Sequence, residues 1–317
     1  MVTLILAFLL DLMIGDPAYP CHPVRVMGKM IERGETILRS AVPRKKIAGA
    51  LLALSFPPIV FLSAWVLIEG LARIHSGLAW TLNLYGIYAS LSIQDLRKEG
   101  IRIYKDLGMG DLAKARLDLS RIVGRDTEAL DKKEILRASI ETMAESTVDG
   151  IIAPLFYAAL GGAPLALAYK AVNTLDSMIG HLNERYRDFG FVVAKQDELW
   201  NWIPARMSYY VIASAAFFFN GRIQEAAFTG WQDGMSAPYG NSAIPEAAFA
   251  GALGVRLGGP STYGGRLVER PLLGIATKDF DREDLVKSIH LMQLAAWVSL
   301  FGALLLKFLY NVIPAWF

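Results

Sequence analysis

The chain has 317 residues, of which 54% are hydrophobic and seven are Trp, and its mean hydropathy of +0.35 exceeds what a soluble chain of this length normally carries. Its net charge of +2 comes from interleaved acids and bases rather than a cluster, so no nucleic-acid partner is implied. One cysteine, Cys21, excludes an internal disulfide, and beside His22 it falls short of any zinc-ligand spacing.

Residues 1–15 are apolar except for Asp11, and they lack a basic leading region and a small-x-small cleavage site. They are therefore read as a retained first helix rather than a signal peptide. Prolines at 17, 20 and 23 then predict a stiff loop that holds Asp16 and His22 at the interface. For a lone His the ordinary reading is a hydrogen bond to a carbonyl. The clearest span is 47–68, twenty-two residues without a charge, preceded by Arg44, Lys45 and Lys46. The next candidate is 74–94. Seven Lys or Arg in 25–46 and eleven in 95–150, against one in 69–75, place the two long basic regions in the cytoplasm and the tip of the intervening hairpin outside.

Within 95–150 the pattern is helical and interfacial or cytoplasmic, with Asp111 as N-cap of 112–123 and Asp131 as N-cap of 132–148. Glu141, Glu145 and Asp149 recur at i, i+4, i+8. Like charges at that spacing repel, and near a helix C-terminus they also meet the negative end of the dipole. A compensating cation is needed, either Lys or Arg from elsewhere or Mg²⁺ bound with a phosphorylated substrate.

The run 151–169 is uncharged, but Gly161-Gly162-Ala163-Pro164 interrupts it and predicts two half-helices, as in a re-entrant element. Residues 170–190 are expected to continue as a helix. One face would hold Asn173, Asp176, Ser177, Gly180, Glu184 and Arg187, and the opposite one Val172, Leu175, Met178, Ile179, Leu182 and Tyr186. Asn, Asp, Ser and Gly are mediocre helix formers, so that polar face is read as a metal or substrate surface rather than a solvated one. Further spans are expected at 207–221 and 291–306.

In 230–265 Pro245 suits a first helical turn, and Ala247, Ala248, Gly251, Gly254 and Gly258 allow close helix packing. The run 258–265 is read as an irregular loop. GGPSTYGGR at 258–266 could offer backbone N–H groups and Arg266 to an anion, with Arg125, Arg185, Arg187 and Lys170 as the other cationic candidates. No internal repeat is visible, and one integrated membrane domain over 1–317 is the simplest division.

Five motifs in series resemble one family. They are GDPxxxxHPVxxMG at 15–28, VGRDT at 123–127, ESTVDGIIAPLFYAALGG at 145–162, YKAVNTLDSMIGHLNERYRDFG at 169–190 and PEAAFAGALGVRLGGPSTYGG at 245–265. Together they resemble the CobD/CbiB family of cobalamin biosynthesis. The resemblance implies an all-α polytopic membrane bundle and an adenosylcobinamide-phosphate synthase. Such an enzyme joins adenosylcobyric acid to (R)-1-amino-2-propanol O-2-phosphate, or free aminopropanol, with ATP and Mg²⁺. It also implies a cytoplasmic membrane location, a bilayer partner and other late corrinoid-pathway membrane enzymes nearby.

Combined with the residue reading, it assigns Glu145, Asp149 and Asp176 to Mg²⁺. Arg125, Asn173, Arg185, Arg187 and Arg266 go to substrate or phosphate, Lys170 to phosphate charge during transfer, and His22 or Glu184 to the base. The chain departs from the family pattern at Ser146, where Asn is commoner, and at 232–244, which lacks a His-Pro-Ser-Pro-Asn-like run. A prenyl- or phospho-alcohol transferase would need paired DxxxD motifs, which are missing here. A membrane corrinoid carrier or regulatory sensor is the non-enzymatic alternative. A transporter would place charges near span centres, whereas these lie at span ends.

Overall fold

The structure is a computed structural model that describes residues 1–17, 19–181, 183–237 and 240–312. Leu182, assigned above to the apolar side of the 170–190 helix, lies outside them, as do Pro238 and Tyr239 of the 232–244 stretch. In chain order the first helices are α1 (Val2–Ile14), α2 (Pro23–Ala41), α3 (Lys45–Ile74), α4 (Ser76–Tyr88), α5 (Ile93–Gly108), α6 (Leu112–Leu119) and α7 (Lys132–Thr147). A π turn (Val148–Ile152) leads into α8 (Ala153–Ile179), followed by α9 (Phe191–Trp200), α10 (Trp202–Asn220), α11 (Ile223–Thr229), α12 (Ala243–Leu253) and α13 (Arg282–Val312). Four short strands, β1 (Leu257–Gly258), β2 (Ser261–Tyr263), β3 (Arg266–Val268) and β4 (Leu272–Leu273), separate the last two helices.

Among the described residues, three stretches are long and apolar enough to cross a membrane: α3, the continuous run Lys132–Ile179, and α13; α1 is apolar but shorter. The protein is thus an all-α membrane bundle, as expected. The 74–94 span needs correction, because α4 stops at Tyr88 and α5 begins at Ile93. The cause is local. Ser90 donates its hydroxyl to the Ile87 carbonyl at 2.7 Å, a bond that competes with the helical ladder.

Contacts cluster into two compact units. The first comprises Met1–Ser92, Ala153–Asn201 and Leu300–Phe317. Its core joins Met27 and Ile31 of α2, Leu52 and Phe56 of α3, Leu167 and Leu175 of α8, and Phe189. The predicted break in α8 is present, since Gly161 and Gly162 leave helical geometry and the freed N–H of Ala163 donates to Asn83 Oδ1 at 2.8 Å. The continuation of that helix through 190 is not: α8 ends at Ile179 and residues 183–189 form turns. There the chain doubles back against α3, an approach that requires glycine at position 49. A Cβ at that position would stand 1.7 Å from the Phe189 carbonyl oxygen.

The second unit comprises Ile93–Ile152 and Trp202–Ser299. Asp111 caps α6, which ends at Leu119 rather than 123, and Asp131 caps α7 in a reciprocal capping box with Glu134. All eleven residues of α12 are buried, consistent with its small side chains, and it packs on α7, α10 and α11. The run 258–265 is not irregular. β2 and β3 pair antiparallel through the two-residue turn Gly264-Gly265, whose φ values of 57° and 76° are those a primed hairpin turn demands.

Candidate functional site

The acidic stripe of α7 divides into residues with different fates. Glu141 is buried, and Arg125, from the loop after α6, is the cation bonded to it, with Arg137 Nε 4.0 Å from its Oε1. The Gly258 N–H also donates to Glu141 Oε1 at 2.7 Å, while Arg125 donates to Ser261 Oγ at 3.3 Å. Arg137, one turn earlier, donates to the carbonyls of Gly258 and Pro260. Beside Arg125, the Asp126 carboxylate accepts the N–H groups of Gly264 and Gly265 at 3.0 and 2.7 Å. Its own N–H donates to the Thr262 carbonyl at 2.8 Å.

The glycine-rich segment 258–265, from β1 to the hairpin turn, is therefore stitched to α7 and to the GRDT segment. Its three N–H groups at 258, 264 and 265, which the sequence offers to an anion, are taken by the protein's own carboxylates. A charged acceptor inside the fold satisfies those donors without an outside ligand. Arg266 lies exposed on β3 of the same hairpin.

One turn beyond Glu141, Glu145 is exposed, and Asp149 is half-buried on the π turn. Such bulges re-aim side chains and recur at functional sites. Glu246, the one charge on α12, is 1% exposed, and both its oxygens accept from Arg270 Nη2, at 2.8 and 3.0 Å. Burial pushes the Glu246 carboxyl upward; Arg270 opposes this, and the charges of Glu141 and Glu145 add to the rise. Glu141, Glu145 and Glu246 thus share one electrostatic neighbourhood with Arg125 and Arg270. Of the three carboxylates, Glu145 is the one with an exposed side chain.

In the first unit, Lys170, Asn173 and Asp176 are half-buried along one side of α8, while Ala171, Val172, Leu175 and Ile179 are buried on the other. Glu184 and Arg187, expected on that polar face, lie exposed in the turns after the helix. Arg185 is 67% exposed and bonds Glu35 Oε1 of α2 at 3.1 Å, where Arg39 also donates at 2.7 Å. Glu35 is buried and keeps Arg39 as its second partner, whereas the Arg185 side chain remains largely exposed. His22, 1% exposed, opens α2 with Nε2 2.8 Å from Asp16 Oδ1 and the Tyr19 ring edge-on at 5.4 Å. The group nearest the imidazole is a carboxylate rather than a carbonyl, and neither ring nitrogen makes a hydrogen bond among the described residues.

Among the described residues, no group of three or more His, Cys, Asp or Glu is placed to hold a metal ion. Mg²⁺ does not require such a cage, since it takes one or two carboxylates together with phosphate oxygens and water. The exposed Glu145 and nearby Asp149 suit that partial donor set. Sequence reasoning overlooked Glu246, Arg270 and Glu35. The first carried a legible signal, because a single charge inside an apolar eleven-residue helix must be paired.

Residues 4–292 match the family described as CobD/Cbib protein. The chain is 42% identical over 314 residues to the cobalamin biosynthesis protein CobD of Clostridium perfringens, covering 99% of this chain and 100% of that one. It is 42% identical over 297 residues to the protein of the same description from Klebsiella pneumoniae, covering 93% of each. It is 41% identical over 298 residues to the cobalamin biosynthesis protein CbiB of Salmonella choleraesuis, again covering 93% of each. No solved structure matches it.

Proposed function

The chain belongs to the CobD/CbiB family of cobalamin biosynthesis, and on that premise we propose that it condenses adenosylcobyric acid with (R)-1-amino-2-propanol O-2-phosphate, or with aminopropanol, at the expense of ATP. The observation that carries this reading is the contrast along α7: Glu141 is locked in a buried network while Glu145, one turn on, is exposed and Asp149 is half-buried. An exposed carboxylate beside fixed arginines suits charged, phosphorylated substrates.

A carboxylate resists attack by an amine until one of its oxygens becomes a leaving group. In the proposed sequence a corrinoid carboxylate oxygen attacks the γ-phosphorus of ATP, ADP leaves, and an acyl phosphate forms. The amine nitrogen then attacks the acyl carbon, the carbon–oxygen bond to phosphate breaks, and the ammonium proton passes to a base. Glu184 and His22 are the two candidates for that base; Glu184 is exposed, whereas His22 is shielded beside Asp16.

The carboxylates offered to Mg²⁺ are Glu145 and Asp149 in the second unit and Asp176 in the first. When bound, Mg²⁺ supplies neutralisation of charge on the transferring phosphoryl group. Lys170, Arg185 and Arg187, with Arg266 in the second unit, are the cations assigned to phosphate, and Asn173 supplies neutral hydrogen bonds, whereas Arg125, buried against Glu141, leaves that set. By the distribution of basic residues the site faces the cytoplasm.

The test is direct. Detergent-solubilised protein is incubated with adenosylcobyric acid, Mg·ATP and either amine, and products are identified by mass spectrometry. The expected result is the amide with ADP in equal amount. Corrinoid binding without amide from either amine would instead identify a carrier or sensor.

A further inference from the structure

A groove lies at the N-terminal end of α3, lined by none of the residues assigned to the reaction. Arg44, Lys45 and Lys46 are exposed there, immediately before the apolar length of the helix. The groove, of about 440 Å³, begins between Arg44 and Lys46 and continues along Ile47, Ala50, Leu51 and Leu54. These four recur at i, i+3, i+4, i+7, so one helix face forms the floor. The first turn of α9 supplies the opposite wall through Val192. The close approach at Gly49 holds that wall near α3. Lys46 is fixed at the mouth, its Nζ 4.0 Å from the centroid of the Phe191 ring.

The two halves of the groove ask for different things. Ile47, Leu51 and Leu54 are 44%, 47% and 64% exposed on a helix that can cross a membrane, so hydrocarbon must cover them. The mouth, by contrast, is formed by the stems of Arg44 and Lys46, both exposed residues whose cationic heads border it beside the first turn of the helix. A free phosphate would use the mouth and leave the aliphatic floor bare. A zwitterionic lipid would bring an ammonium toward Arg44 and Lys46. From Ile47 to Leu54 the floor runs roughly 10 Å along the helix axis, room for the upper part of one acyl chain. We propose that this groove binds an anionic phospholipid from the surrounding bilayer, with its phosphate between Arg44 and Lys46 and an acyl chain along Ile47, Ala50, Leu51 and Leu54.

The test is lipid binding to the purified full-length protein by native mass spectrometry, with phosphatidylglycerol and phosphatidylcholine of matched chains as probes and glycerol phosphate as competitor. Each cation removed is expected to weaken phosphatidylglycerol binding about fivefold, so Arg44→Gln with Lys46→Gln loses roughly twenty-fivefold. Ala50→Trp, which fills the floor and leaves both cations, is expected to weaken binding at least about tenfold. Phosphatidylcholine is expected to bind more weakly than phosphatidylglycerol and to be indifferent to the charge changes. Both altered sites lie on the surface, and an unchanged melting temperature confirms an intact fold. Wild-type binding of phosphatidylglycerol by either variant overturns the proposal, as does equal binding of the two lipids. Displacement by glycerol phosphate also overturns it, leaving a site for free phosphate esters.

Discussion

Replacing Glu141 by Ala is expected to destabilise the protein by about 3–5 kcal/mol, the cost of removing one partner of a buried ion pair. The side chains of Arg125 and Glu141 are 6% and 2% exposed, so the substitution leaves a guanidinium in a site that water cannot enter. It also strips the Gly258 N–H of its acceptor and loosens the first anchor of the hairpin. Thermal or denaturant unfolding of the detergent-solubilised protein measures the loss. Pairing Glu141→Leu with Arg125→Met is expected to recover most of it, because two apolar groups of similar size need no solvation. A single substitution costing less than about 1 kcal/mol would mean that water reaches the pair, and the hairpin would then need another anchor.

Glu145→Gln is expected to behave in the opposite way, with the fold intact and amide formation down on the order of 10²- to 10³-fold. The side chain is exposed and the substitution preserves its shape, so little packing is lost. What changes is charge at the position assigned to Mg²⁺ and nucleotide phosphate. The residual activity is accordingly expected to need more Mg²⁺ for half-maximal rate. Parallel titrations of Mg²⁺ and ATP at fixed corrinoid separate this from a general loss. Wild-type turnover with an unchanged Mg²⁺ requirement would remove Glu145 from the site and leave Asp149 and Asp176 as the carboxylates to examine.

These two neighbours show why the sequence was legible in part. The spacing of Glu141, Glu145 and Asp149 revealed a charge problem, and local physics left open whether a metal or an arginine resolves it. For Glu141 the answer is Arg125, sixteen residues upstream, brought in by a fold that periodicity does not encode. The caps at Asp111 and Asp131 and the interruption at Gly161-Gly162 were legible because each acts within one helical turn. The end of α8 was not, because the composition of 180–190 permits a helix. What stops it is tertiary, the return of Phe189 and Gly190 against α3 and the end of α8. The hairpin at β2 and β3 was missed for a different reason: two adjacent glycines signal a primed turn only when the flanking residues are read as strands, and those strands are three residues long.

The most direct measurement follows oxygen. Adenosylcobyric acid labelled with ¹⁸O in the reacting carboxylate is turned over with Mg·ATP and aminopropanol phosphate, and the inorganic phosphate and nucleotide are analysed by mass spectrometry. ATP activation of that carboxylate predicts one ¹⁸O in the phosphate for each amide formed, with ADP as the nucleotide product. Label in AMP would contradict the acyl phosphate, and phosphate without label, or no amide from a protein that still binds the corrinoid, would contradict the ligase itself.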